Sequence, residues 1–152
     1  MKTLCLYYTR TGTTREIMEN IAKLLDADVV EYTDGKDRSG FFGYLGACFA
    51  TVKNTKVELK GDIDLAAYDR VIIGMPIWAE GPSAPGRAFI KAYADKLPDN
   101  VVYVIARMGT RDYSKKIKAM DKLLGKPSSG QISIRTKDND YLKDAADFAK
   151  TL

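Results

Sequence analysis

With 152 residues, 45% of them apolar, the chain has the length and composition to bury one sizeable core, and the expectation is a single domain over residues 1–152. Its net charge of +4 is not accompanied by any of the usual nucleic-acid-binding motifs, and the absence of histidine removes the commonest general base and the histidine-dependent nucleophile triads. No stretch approaches the ~20 apolar residues that span a bilayer, and the short first run, Leu4 to Tyr8, leads to Arg10 rather than to a signal-cleavage site, so a soluble, cytoplasmic protein is expected.

Lys2 to Tyr8 reads as a mostly apolar strand, and Thr13 to Leu25 as a helix with Ile17, Ile21, Leu24 and Leu25 on one inward face. Val29 to Tyr32 is a short second strand. After a polar turn, Asp34-Gly35-Lys36-Asp37, the stretch Phe41 to Val52 predicts a short helix. Its Phe41, Phe42 and Tyr44 are expected to pack as part of an amphipathic helix, with the roof of a substrate pocket as the alternative. Val71 to Gly74 is a third strand. Ser83-Ala84-Pro85 starts a helix, Ser83 as N-cap and Pro85 in the first turn, that runs through Phe89, Tyr93 and Leu97 and is closed by Pro98. Val101 to Ala106 is strand four. Tyr113 to Leu124 is helix four, with Ile117, Met120, Leu123 and Leu124 inward. Gln131 to Ile134 is strand five, followed by helix five with Leu142, Ala145, Ala149 and Leu152 inward.

A strand-helix alternation repeated five times, with strands too continuously apolar to be wet on one face, predicts an α/β fold: a parallel sheet with helices on both sides. Such sheets bind ligands beyond the carboxyl ends of the strands, where the strand order reverses. The candidate site is therefore the loops after strands one, three and four. Cys5, in a strand, and Cys48, in a helix, are expected to be buried free thiols, because no C-x-x-C pair or histidine is present to complete a metal site.

The loop Thr9-Arg10-Thr11-Gly12-Thr13-Thr14 offers four hydroxyls, a glycine and the first N–H groups of a helix, which together suit an anion. A threonine-rich N-cap without a ligand is the alternative. Neither a Walker A ending nor a G-x-G-x-x-G turn is present. Cys5 and Arg10 are one residue too close for the phosphatase loop that pairs those two residue types, and a mid-strand thiol is poorly placed to ionise.

That loop resembles the T-x-T-G-x-T phosphate loop of the flavodoxin family, at the right place between the first strand and the first helix. Gly74-Met75-Pro76-Ile77-Trp78-Ala79-Glu80 resembles the family's loop after strand three, in which an aromatic residue packs on the flavin ring. Gly109-Thr110-Arg111-Asp112-Tyr113 resembles the loop after strand four, which often places a tyrosine on the opposite face. The resemblance implies a flavodoxin-like three-layer sandwich with a five-stranded parallel sheet in the order 2-1-3-4-5, and FMN as cofactor. Its contacts would come from Thr9, Arg10, Thr11, Gly12, Thr13 and Thr14, then Pro76, Ile77, Trp78 and Ala79, and lastly Arg107, Met108, Gly109 and Tyr113. Backbone groups of Arg107 to Gly109 would address the polar edge of the ring. Arg10 either pairs with the phosphate or faces solvent, and Tyr113 either stacks on the ring or begins the inner face of helix four. Ala79 stands where the family commonly has Gly or Asn. A positive φ there would cost a residue with a Cβ roughly 1–2 kcal/mol.

The resemblance implies electron transfer through FMN, with an NAD(P)H-dependent quinone reductase of the same group as the alternative. Carriers of the family are usually strongly acidic, whereas here seven basic residues between Arg107 and Lys126 face only Asp112 and Asp121. Lys115, Lys116 and Lys118 are the candidate docking residues for a redox partner. A solvated helix face is the other reading. No nucleic-acid or membrane partner is expected.

Overall fold

The computed structural model describes residues 1–79 and 81–152. In chain order the regular elements are β1 (Thr3–Tyr7), α1 (Thr13–Leu25), β2 (Asp28–Thr33), α2 (Gly40–Cys48), β3 (Glu58–Leu59), β4 (Arg70–Trp78), β5 (Gly81–Pro82), α3 (Ala84–Tyr93), β6 (Asn100–Arg107), α4 (Ser114–Lys118), α5 (Asp121–Leu124), β7 (Gly130–Arg135) and α6 (Tyr141–Ala149). Short 3-10 turns occupy Val52–Asn54, Leu65–Ala67 and Ala94–Lys96.

Five strands pair in parallel in the order β2-β1-β4-β6-β7, which is 2-1-3-4-5 when only these are counted. Two antiparallel additions, each of two residues, bring the total to seven: β3 on β2 and β5 on β4. Strands so short carry no hydrophobic period, so nothing in the sequence marks them. The central strands are buried on both faces because the pleat sends alternate residues to opposite layers. From β1 and the residue after it, Leu4, Leu6 and Tyr8 enter a core shared with Ile73, Phe89 and Ile105, beneath α3, α4 and α5. Cys5 and Tyr7 enter the other layer, with Ile17, Ile72, Val104 and Ala145, beneath α1 and α6.

Several boundaries differ from expectation. The buried stripe of α1 is Thr14, Ile17, Met18, Ile21 and Ala22. At about 100° per residue Leu24 falls outside that stripe, and it is half exposed. The third parallel strand, β4, reaches Trp78 rather than ending at Gly74, so Trp78 closes a strand instead of sitting in a loop. The helix expected over 41–52 ends at Cys48, and the one begun by Ser83 ends at Tyr93, with a 3-10 turn before Leu97. Ser83 does cap its helix, its Oγ accepting from the Gly86 N–H at 3.4 Å. The helix expected over 113–124 is two short ones. At the joint the Met120 and Leu123 N–H groups donate three residues back, to Ile117 and Met120, and this tightening buries Ile117, Met120 and Leu124 together while Leu123 is only partly covered. No described helix is long and apolar enough to cross a membrane.

Candidate functional site

The carboxyl ends of β1, β4, β6 and β7 open on a cavity of about 540 Å³. Every cofactor-contact candidate named from the sequence lines it except Gly12, whose N–H closes the turn of the loop on Thr9. Glu80, quoted with the Trp78 segment, lies outside the described residues. The wall also includes Tyr44, Ala47 and Cys48 from α2, Ala106, and Thr136 and Lys137 after β7. Of these the sequence offers only Tyr44, as part of the alternative in which the aromatic cluster roofs a pocket. For Thr136 and Lys137 a signal existed, since they follow the fifth parallel strand at its carboxyl end.

The threonine loop turns at Gly12, whose φ of +98° lies in the left-handed region that glycine alone enters freely. Its N–H donates to Thr9 Oγ1 at 2.9 Å, while its carbonyl accepts from the Glu16 N–H at 3.1 Å. No side chain caps α1. Its leading N–H groups, which have no partner within a helix, therefore remain available at the cavity. Thr11 is exposed, Thr13 half-buried and Thr14 buried. Arg10 reaches toward α2: its Nη1 donates to the Arg38 carbonyl at 3.4 Å and its guanidinium lies 5.8 Å from the centre of the Tyr44 ring.

Trp78 is held from two sides. Tyr8 meets it edge-on at 5.5 Å between ring centroids. The Arg38 guanidinium lies 4.9 Å from the centre of the indole. Arg38 is itself paired with Asp34, Nη2 to Oδ2 at 2.7 Å and Nε to the same oxygen at 2.9 Å, with both side chains buried. Burial, with the charge of Asp34 adding to it, pushes the Tyr8 phenol up to about 12. α2 crosses this pair closely: a Cβ on Gly43 would sit 2.2 Å from the Arg38 carbonyl carbon, so only glycine fits. The indole N–H of Trp78 is buried without a hydrogen-bond partner among the described residues. Leaving such a donor unmet costs ~1–3 kcal/mol, which an acceptor atom on a ligand would relieve.

On the opposite side, the turn after β6 is fastened by its own arginine. Arg107 Nε donates to Ser133 Oγ at 2.9 Å, and its Nη1 donates to the Gly109 carbonyl. The Arg107 carbonyl accepts from the Thr136 N–H at 2.8 Å and from its hydroxyl at 3.2 Å. The backbone groups this turn offers the cavity therefore belong to Met108 and Gly109. Tyr113, half-buried at the start of α4, lines the cavity and packs against the core at once. Lys115, Lys116 and Lys118 are exposed just beyond it, with Lys118 paired to Asp121 at 2.7 Å.

Ala79, directly after Trp78, adopts φ +46°. The left-handed conformation costs an L-residue with a Cβ roughly 1–2 kcal/mol, and glycine removes most of that at the expense of greater freedom when unfolded. Ala79→Gly is expected to stabilise the fold by about 0.5–1 kcal/mol, read as a higher urea midpoint at unchanged slope. A lower midpoint would show that this turn carries no strain.

Two expectations from the sequence fail here. Phe41 and Phe42 do not pack as the inner face of an amphipathic helix: they are 70% and 85% exposed. Helix α2 has little amphipathic character because its apolar residues surround it, and only Ala47 is buried. Tyr44, on the cavity side, is half exposed. Nor is Cys48 a buried thiol, since it is half-buried on the cavity wall. Cys5 is buried, and burial pushes its thiol up to about 12.

No protein-family model matches the sequence, and no curated protein sequence does. Solved structures do match the backbone. A flavoprotein from Lactobacillus acidophilus NCFM, in complex with FMN, superposes with a TM-score of 0.69 at 20% identity, covering 96% of this chain and 98% of that one. This chain has the flavodoxin-like fold. The two-electron reduced flavodoxin of Megasphaera elsdenii matches with a TM-score of 0.61 at 15% identity over 99% of each chain. A flavodoxin, WrbA-like protein from Agrobacterium tumefaciens matches at 0.60 and 15% identity, covering 99% of this chain and 98% of that one. In this fold the switch point of the strand order lies between β1 and β4, and the cavity stands at the end of both.

Proposed function

We propose that the flavodoxin-like chain binds FMN in this cavity and transfers electrons through it. The observation that carries the reading is the meeting, on one cavity of about 540 Å³, of an uncapped helix start and an aromatic wall with an unmet donor. The volume lies within the ~300–1,000 Å³ of ordinary ligand sites. The leading N–H groups of α1, with the hydroxyls of Thr11 and Thr13, would hold the phosphate. Trp78 and Tyr113 would flank the ring, which supplies the redox chemistry when bound. Met108 and Gly109 would hydrogen-bond its polar edge. The complex of the Lactobacillus acidophilus flavoprotein with FMN supports the same cofactor here.

One phosphate site at one helix start suits a terminal monophosphate, so FMN is expected to bind tightly and FAD weakly when the flavin-free protein is titrated with each. Equal affinity, or none, would remove the assignment. A second reading, reduction of a quinone-like acceptor by NADH or NADPH, is favoured by the basic residues after Tyr113, which oppose the acidic character usual in carriers. Turnover of NADH or NADPH with menadione well above that of free FMN would establish it, and turnover no higher would leave the carrier. If Lys115, Lys116 and Lys118 dock an acidic redox partner, replacing all three by Glu should slow that reaction and flatten its salt dependence while FMN binding stays intact. Unchanged rates and salt slopes would make the strip a solvated helix face.

A further inference from the structure

Behind Trp78 and Ala79 lies a second cavity, of about 510 Å³, which shares those two residues and Ala47 and Cys48 with the first. Its remaining walls are mainly apolar, from Pro82 and Ala84 on one side to Met120 and Leu123 on the other. Into this setting α3 brings Arg87, half-buried in its first turn. Among the described residues the buried Nε of Arg87 has no hydrogen-bond partner. Burial lowers its pKa from the ordinary arginine value, a sign that the charge is held in poorly solvated surroundings. Lys116 stands on the same wall, and no acidic residue among the described ones lines it.

An arginine Nε buried in an apolar setting without an acceptor is costly to maintain, because that donor loses water and gains nothing in return. The arginines elsewhere near the sheet ends are engaged: Arg38 by Asp34, Arg107 by Ser133 and Gly109, Arg10 by the Arg38 carbonyl. An anionic acceptor would meet the donor that Arg87 leaves unpartnered among the described residues, and the mainly apolar walls around it would take an apolar body attached to that anion.

We propose that this second cavity is a binding site for an aromatic monoanion of the carboxylate or sulfonate type, its charged group taken by Arg87 and its ring by the wall from Pro82 to Leu123. Placed against the far side of Trp78 and Ala79, it is where an electron acceptor of that class would lie, a role that rests on the flavin reading above. The binding itself does not rest on it.

The test is calorimetric titration of the protein, as purified and saturated with FMN, with 2-naphthoate and with its uncharged isostere 2-naphthamide. The acid should bind at least about tenfold more tightly, as expected for a charge-assisted pair held out of water. That preference should fade with added salt, vanish in Arg87→Met and survive in part in Arg87→Lys. Binding of 2-naphthoate should persist with FMN present. Equal affinity for acid and amide, a preference that survives Arg87→Met, or displacement of FMN by 2-naphthoate would each overturn the proposal. The salt titration of the unmutated protein decides the matter even if a variant folds poorly. A protein that takes 2-naphthoate but no FMN would overturn the flavin reading and leave this site standing.

Discussion

Asp34→Ala is expected to destabilise the fold by about 3–5 kcal/mol, because it leaves the buried guanidinium of Arg38 without its counter-charge. Asp34 and Arg38 are 1% and 5% exposed at their side chains, so water can do little to replace the lost carboxylate. The damage should reach the site, since the same guanidinium covers the indole of Trp78 and the Arg38 carbonyl accepts from Arg10. Trp78 is the only tryptophan, and its emission reports the change directly. Urea unfolding of the variant, followed by that emission, should show a lower midpoint and an altered native-state spectrum. Replacing both partners, Asp34→Ala with Arg38→Met, should recover much of the loss, as removal of a whole buried pair often does. A single-variant loss under about 1 kcal/mol would place the pair with ordinary solvated ion pairs.

How much of this was readable beforehand depended on whether a residue's role was local. The interiors of β1, β4 and β6 are continuously apolar, and the order of the five parallel strands followed from their alternation with helices together with the family resemblance. The threonine loop was legible because a helix start declares its donors in sequence. Arg38 was not. In the chain it follows a polar turn, and only the folded path shows that it reaches back four residues to Asp34 and lies over Trp78, forty positions on. Arg87 likewise reads as an ordinary helix cation, and the burial of its Nε without a partner among the described residues is a property of what surrounds it. The face of α2 failed for the opposite reason. Apolar residues such as Phe41 and Phe42 usually pack, but with apolar residues all round a short helix, composition cannot say which side is covered.

The second large effect is expected at the phosphate loop. Thr11→Val with Thr13→Val should weaken FMN by about a hundredfold or more, since each hydrogen bond to a charged group is worth ~1.5–3 kcal/mol and 1.4 kcal/mol is a factor of ten. Riboflavin, which lacks the phosphate, should bind the variant about as well as it binds the unmutated protein. The two positions differ in surroundings: Thr11 is exposed and Thr13 half-buried in the first helical turn, so Thr13 alone should account for the greater share. Thr9 is a poor control, because its oxygen holds the Gly12 N–H at 2.9 Å and its loss would disturb the turn itself. The donors at the start of α1 belong to the backbone and survive both substitutions, which is why the variant should still prefer FMN slightly. The measurement is the ratio of FMN to riboflavin dissociation constants, taken on both proteins at one ionic strength. A ratio that does not move would mean that the hydroxyls do not meet a phosphate, and the cofactor assignment would lose its anchor at this end of the cavity.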